Sequence, residues 1–467
     1  MLFGFPSKLK ASWFRKGFLF VFMPIAFWLI SMYPAILTPD SYLILRNLKN
    51  PSEPFDAGIG GTPLYSLIVD VVSFNGKFLV FVASLQAILM YVALYMWVSA
   101  LMPSKYTTYR LTISGVLFTT PFFGPIAVSI WKDSLSLSLT MIGIALLSKS
   151  FVSIMNKSLA IALLSLGSAM RYEGYVVLLV WALILLLLMP LLRNVLNKRL
   201  LKNVFVCSLL SIFISLGISS GSKFFMKWES PAKWFSTQSF LLDLEYVYSN
   251  YPEILDVKIQ DVLDDINPTR PLVGKESCSD VTPFYTSNYN RNAANEYSIK
   301  MPMLWFQAFN SNAREALVHA RICRTTAFLP WPFFEAPVQG FWPTIGHGPN
   351  ELKPERPELI YKFTYPVGWI WTRLWTTNGS FLAWPGGHFT LVIILALFLR
   401  GRSQTKYSNT LNLTLLIPGT FLIARIAVLF LNVSGGEYRY LPHVYFLSLP
   451  LIVIVLLNLL NVVGKKN

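Results

Sequence analysis

The chain has 467 residues, of which 54% are hydrophobic and 13% charged, with a formal net charge of +16. Soluble domains carry roughly a quarter charged residues, and several apolar runs here reach the roughly 20 residues that cross a bilayer as helix, so composition excludes an ordinary soluble fold. The basic residues sit in short loops between apolar runs, which is the positive-inside pattern of a membrane protein, and nucleic acid is not expected as a partner.

Lys8, Lys10, Arg15 and Lys16 precede an apolar stretch from Gly17 to Leu37. The stretch is too long for the core of a signal peptide, and no small-residue cleavage site follows it. A retained first helix over Lys16–Leu37, entering from the cytoplasm, is expected. The outer loop 38–76 is broken by Pro and Gly clusters and has room for short helices at the membrane surface. Further spans are expected at Lys77–Met102, Leu111–Phe122, Ile126–Leu147, Ser158–Met170, Tyr175–Leu192 and Val204–Ser220. The loops "PSKYTTYR", Lys149–Lys157 and "RNVLNKRLLKN" between them are basic and expected inside.

Residues 221–383 carry charges of both signs and read as an outer soluble domain. The last helices are expected at Pro385–Leu399, Leu411–Leu431 and Leu441–Val462, with the basic "RGRSQTK" and the terminal "GKK" inside. The expected fold is an all-α polytopic membrane protein of about ten spans with an outer, mostly α domain. It divides into an N-terminal membrane module (1–220), the outer domain (221–383) and C-terminal helices (384–467). Cys207 lies within a span and reads as a small buried side chain. Cys278 and Cys323 both fall in the outer domain, where an oxidising compartment permits a disulfide; two free thiols are the alternative.

Asp40 closes "SMYPAILTPDSY", where the first helix leaves the membrane. Alone it reads as a helix-end carboxylate in water, or as an N-cap of a following surface helix. Three other constellations fall on the same expected face. "PFFGPIAVSIWKDSL" holds Lys132 and Asp133, "SAMRYEGY" holds Arg171 and Glu173, and "GGEYRYLPHVYF" holds Glu437, Arg439, Tyr440 and His443. Adjacent residues such as Lys132 and Asp133 do not share a helix face, so a local ion pair is not expected. Anchoring at the interface accounts for Tyr438 and Tyr440 individually, but four acid/base clusters on one face point to an outward-facing site.

Carboxylates and cations at a lipid–water boundary suit sugar transfer from a polyprenyl-phosphate donor. The acceptor hydroxyl needs a base, and the leaving phosphate needs cations, for which the planar fork of Arg is well shaped. In this layout the chain resembles the GT-C glycosyltransferases that use lipid-linked sugars, such as protein O-mannosyltransferases and lipid A aminoarabinose transferases. The resemblance is carried by "YPAILTPDSY" after the first helix, by "IWKDSL", by "MRYEGY" as an Arg-x-x-Gly segment and by "EYRYLPH" at the start of a late helix. It covers most of residues 16 to 192 and the last helices. Mannosyltransferases carry an acidic pair in the first outer loop, whereas Asp40 is followed by Ser41 here.

The resemblance implies Asp40 as general base and Asp133 as a second acid that orients the acceptor or binds a metal. Arg171 and Arg439 would hold the donor phosphate with Lys132 in support, Glu173 would orient Arg171, and Tyr440 and His443 would complete the substrate site. The four histidines show no zinc-ligand spacing, so any metal is expected as Mg or Mn on the carboxylates of Asp40 and Asp133. The acceptor would be a glycan, lipid or protein, and the enzyme would sit in a bacterial inner membrane facing outward. The rival readings are an O-antigen polymerase or ligase and a lipid-linked sugar flippase. In the outer domain, "MPMLWFQAF" and "FLPWPFFEAPVQGFWP" suit either sugar stacking or an aromatic interface belt.

Overall fold

The computed structural model describes residues 11–37, 41–42, 44–45, 48, 62–102, 106–148, 153–192, 198–226, 237–268, 289–325, 366–367, 370, 385–402, 406–432 and 443–464. Asp40, Cys278, Glu437, Arg439 and Tyr440 lie outside the described residues. Among the described residues the fold is all-α; the one β feature is an isolated parallel bridge between Ile36 and Ser129.

The first half is built of α1 (Ala11–Ser31), α2 (Pro63–Ser73), α3 (Leu79–Leu101), α4 (Thr107–Thr119), α5 (Gly124–Val128), α6 (Lys132–Leu147), α7 (Ile154–Ala169), α8 (Gly174–Leu192) and α9 (Lys198–Phe225). A helix thus occupies each apolar stretch expected to be helical, but several boundaries differ. The first helix ends at Ser31 rather than Leu37. Pro34 has no N–H to continue it, and Ile36 instead pairs its backbone with the 128–130 segment: Ile36 N donates to Val128 O at 3.1 Å and Ile130 N to Ile36 O at 2.9 Å. The same pairing divides the expected Ile126–Leu147 helix into α5 and α6, with Ser129 and Trp131 extended between them. The basic segment before the seventh span is also partly helical, since α9 starts at Lys198. Lys, Arg and Leu are good helix formers.

Three buried tryptophans tie the bundle together by their indole N–H groups. Trp28 donates to Phe118 O and Trp97 to Met141 O, each at 3.1 Å, and Trp181 donates to Thr420 Oγ1 at 3.0 Å. Burying each indole is favourable only because its N–H finds an acceptor. Gly124 is required by this packing, since a Cβ there would lie 1.8 Å from Trp28 Nε1. Among the described residues two helices, Leu79–Leu101 and Leu201–Phe225, are long and apolar enough by length and composition to cross a membrane.

The chain then builds a second hydrophobic core from α10 (Gln238–Asn250), α11 (Val257–Ile266), α12 (Arg291–Tyr297), α13 (Met301–Phe309) and α14 (Arg314–Thr325). Leu244, Leu263, Ile266 and Leu317 are fully enclosed in it. The last helices, α15 (Pro385–Arg402), α16 (Lys406–Asn432) and α17 (His443–Gly464), return to the first core. Phe122 stacks on Tyr445 at 4.7 Å and Phe123 meets Phe446 edge-on at 4.9 Å, so the "PFFGP" segment is a packing joint with α17.

The two cores meet at the C-terminal end of α16. Arg321 Nη1 donates to Phe430 O at 3.0 Å and to Leu431 O at 2.8 Å, and Ser239 Oγ donates to Leu431 O at 2.6 Å. These bonds satisfy carbonyls that a helix end leaves without partners. Asp243, fully buried, neutralises Arg321 and Arg324 together: its Oδ2 accepts from Arg321 Nε at 2.6 Å and from Trp305 Nε1 at 2.9 Å, and its Oδ1 lies 2.7 Å from Arg324 Nη2. Burial pulls the Arg324 guanidinium down to about 10, against the upward pull of Asp243. Cys323 is disulfide-bonded and Cys207 is a free, buried thiol.

Candidate functional site

The starts of α6, α8 and α17 and the ends of α7 and α16 come together at one end of the bundle. Asp133 lies in the first turn of α6, where a carboxylate is favoured by the positive end of the helix dipole. Arg171 and Glu173 occupy the turn between α7 and α8. That turn is closed by Arg171 N donating to Ser168 O at 3.1 Å and Gly174 N donating to Arg171 O at 3.0 Å. It is tight enough that a Cβ on Gly174 would fall 2.2 Å from Ser168 O, which explains the glycine of "MRYEGY".

Arg171 bridges two carboxylates. Its Nη1 pairs with Asp133 Oδ1, while Nε and Nη2 lie 2.7 Å and 2.6 Å from Glu173 Oε1. Arg425 of α16 brings Nη1 to 3.4 Å from the same Glu173 oxygen. The result is a chain of alternating charge, Asp133–Arg171–Glu173–Arg425. Asp133, Arg171 and Arg425 are buried, and the Glu173 side chain is 21% exposed. Burial alone raises the Glu173 carboxyl, but Arg171 and Arg425 together lower it further, from 4.5 to about 2. Glu173 is therefore ionised throughout the physiological range.

His443 is buried at the start of α17, its ring 5.7 Å from that of Phe421 and within electrostatic reach of Arg425, Arg171 and Glu173. Its Nδ1 has no hydrogen-bond partner among the described residues. Lys132 turns away from its neighbour Asp133 and sets its Nζ 6.0 Å above the Tyr172 ring, as expected for adjacent residues on a helix. Asp133, Arg171, Glu173 and His443 are thus brought together, with Lys132 at their edge.

Asp40, Arg439 and Tyr440 lie outside the described residues, but the chain on both sides of Asp40 is anchored beside this cluster. Ile36 pairs with Val128 and Ile130, and Ser41 Oγ donates to Ile130 O at 2.5 Å. Both anchors lie just before Lys132 and Asp133 in sequence.

Sequence reasoning missed Arg425, Tyr65 and Gln86. Arg425 carried a usable signal, being a lone cation within the apolar "FLIARIAVLFL". A charge placed in such a run marks a functional or paired site. Gln86, in the middle of α3, donates through Nε2 to Tyr65 Oη at 3.1 Å and to Trp131 O at 3.0 Å, joining α2 and α3 to the start of α6. A lone glutamine in a helix interior gives a weaker signal. Among the described residues no three His, Cys, Asp or Glu side chains gather as a metal site. Asp133, one of the carboxylates expected to hold Mg or Mn, is paired with Arg171, a donor set suited to anions more than to a divalent cation. No family model, curated protein or solved structure matches the chain.

Proposed function

We propose that the chain is an integral-membrane glycosyltransferase of GT-C type, with about ten spans, moving a sugar from a polyprenyl-phosphate donor to a glycan, lipid or protein acceptor on the outer face of a bacterial inner membrane. The observation that carries this reading is the buried chain Asp133–Arg171–Glu173–Arg425, assembled from the ends of four helices at one end of an apolar bundle. Taking charges out of water is costly, and ionisable groups set among apolar helices are retained mainly for function. The membrane setting is supported by exposed apolar side chains on the bundle, including Leu183, Leu186, Leu187 and Phe213, which suit lipid better than water.

In this reading Asp40 takes the proton from the acceptor hydroxyl as that oxygen attacks the anomeric carbon of the sugar. The bond from that carbon to the phosphate oxygen breaks, and polyprenyl phosphate departs with the electron pair. Arg171 and Arg425, with Arg439 and Lys132, face the charge that gathers on the phosphate. Asp133 and Glu173 hold the two buried arginines in place, and Tyr440 and His443 complete the substrate site.

The test is reconstitution in proteoliposomes with two labelled donors, a polyprenyl-phosphate sugar and a polyprenyl-diphosphate oligosaccharide. Transfer from the first supports the proposal. Transfer only from the second makes the chain a polymerase or ligase. Movement of either lipid across the bilayer without transfer makes it a flippase.

A further inference from the structure

We propose that Arg321 is a positioning residue for the charge cluster, acting through α16 to set Arg425 against Glu173; its consequence for the donor rests on the glycosyl-transfer reading. Arg425 Nη1 stands 3.4 Å from Glu173 Oε1, against 2.6 Å for Arg171 Nη2. Charge-assisted hydrogen bonds run about 2.7–2.9 Å, so the Arg425 contact is the one most sensitive to where its helix stands. A shift of about 0.5 Å either way tightens it to a full hydrogen bond or loses it.

The part of α16 that carries Arg425 is anchored at both ends. Pro418 lies inside the helix and has no N–H, so a ladder bond is missing at that turn, a common site of bending. Just beyond it Trp181 Nε1 donates to Thr420 Oγ1 at 3.0 Å, and the Trp181 ring meets Phe421 edge-on at 5.4 Å. At the far end Arg321 Nη1 donates to Phe430 O at 3.0 Å and to Leu431 O at 2.8 Å, and Ser239 Oγ donates to Leu431 O at 2.6 Å. The run from Ile426 to Leu431 holds neither Gly nor Pro, so nothing in it breaks the helix. Leu431 lies roughly 9 Å along the axis from Arg425, and a displacement at one end is carried to the other.

Arg321 is itself fixed. It is 4% exposed, and its Nε donates to Asp243 Oδ2 at 2.6 Å. Its guanidinium lies 5.2 Å from the Phe240 ring centre and 5.7 Å from that of Trp305. The planar fork lets one side chain serve a carboxylate and two carbonyls together, and its charge faces the negative end of the α16 dipole. A buried ion pair is a costly cap for a helix end, since Arg and Asp must both leave water. A demand for one fixed position of α16 accounts for it. In the glycosyl-transfer reading Arg425 faces the donor phosphate, so the second core governs how that cation is presented.

The experiment is a double-mutant cycle on the purified full chain in neutral detergent. Thermal midpoints are measured for the parent, Arg321→Lys, Arg425→Met and the double variant. Ile266→Val, alone and with Arg425→Met, controls for general damage, because Ile266 is fully enclosed in the second core on α11. Lys keeps the charge beside Asp243 but lacks the fork that reaches two carbonyls. Effects of separated residues with no shared partner normally add. The drop caused by Arg425→Met should shrink by about half or more in the Arg321→Lys background and stay whole in the Ile266→Val background. Equal drops in every background overturn the proposal, and so does an equal shrinkage in Ile266→Val. Failure of Arg425→Met to lower the parent's midpoint also overturns it, since there is then no contact to be set. Binding of polyprenyl phosphate and of polyprenol to the same proteins reads the consequence for the donor. The parent's preference for the phosphate should fall several-fold in Arg321→Lys, and the double variant should lose no more than Arg425→Met alone. Coupled midpoints with an unchanged preference support the positioning and overturn its consequence for the donor.

Discussion

Arg425 and Arg171 converge on one oxygen of Glu173: Arg171 approaches Oε1 at 2.6 Å and Arg425 at 3.4 Å, from helices far apart in sequence. Glu173 is thereby the link between the α7–α8 turn and α16. Replacing it with Gln removes the charge that balances two buried guanidinium groups. Leaving a buried partner uncompensated costs about 3–5 kcal/mol when the pair is fully enclosed, and somewhat less here because Asp133 still pairs with Arg171. Glu173→Gln is expected to lower the thermal midpoint in detergent by several degrees. Arg425→Met, which removes the more distant of the two guanidinium groups on Glu173, is expected to lower it less. Equal midpoints for all three proteins would show that the chain of charge contributes nothing to the fold.

The stability conferred by Glu173 has a defined pH range. Its folded value, about 2, lies below its ordinary value of 4.5. Its contribution is therefore fully present above about pH 4.5 and is lost as pH falls through about 2. The shift corresponds to a contribution on the order of 3 kcal/mol at neutral pH. Midpoints of parent and Glu173→Gln should stay a constant distance apart from pH 8 to about pH 5 and converge below about pH 4.5. A gap that closes instead between pH 6 and 8 would place the responsible titration elsewhere.

The joint between the two cores predicts a different failure. Asp243 is fully buried and shared by Arg321 and Arg324, and Arg321 in turn donates to the last carbonyls of α16. Asp243→Asn removes the carboxylate that these two enclosed arginines share, a change that costs about 3–5 kcal/mol. Faster hydrogen exchange at α10, α14 and the final turn of α16, with α3 and α6 unaffected, is the expected result. Exchange confined to α10 would mean that the joint does not hold α16.

Much of this arrangement was legible in the sequence, for identifiable reasons. The apolar runs marked the expected helices, and a helix occupies each of them, because a long apolar run bounded by polar loops is a local signal. "WKDSL" and "MRYEGY" were singled out because charge next to an apolar run is costly, and the structure joins them through Asp133 and Arg171. The division of the fourth helix at Ser129 was not legible. It depends on a backbone bridge to Ile36, a partner far away in sequence that leaves no local signal. Arg425 was visible as a lone cation, but its partner Glu173 was not.

The proposed topology places residues 221–383 outside and the Arg193–Lys202 segment inside. A Cys introduced at Lys258, exposed on α11, should react with a membrane-impermeant maleimide in intact cells, and one at Lys198 should react only after lysis. The native background is low at Cys207, which is buried, and at Cys323, which is disulfide-bonded. Labelling at Lys198→Cys but not at Lys258→Cys in intact cells would reverse the orientation and move the charge cluster to the cytoplasmic face.

The last prediction concerns the base. The Asp133 carboxylate is already engaged by Arg171. Asp40 is the acid left for proton abstraction in the proposed reaction, and the chain on both sides of it is anchored near Asp133 through Ile36 and Ser41. Asp40→Asn, nearly the same shape, should lose about 10²–10⁴-fold in turnover and keep donor affinity and thermal midpoint. Asp133→Asn should act differently: it frees one arm of Arg171, lowers the midpoint and alters donor affinity together with turnover. Near-normal turnover in Asp40→Asn would remove Asp40 from the chemistry and leave Asp133 or Glu173 to supply the base.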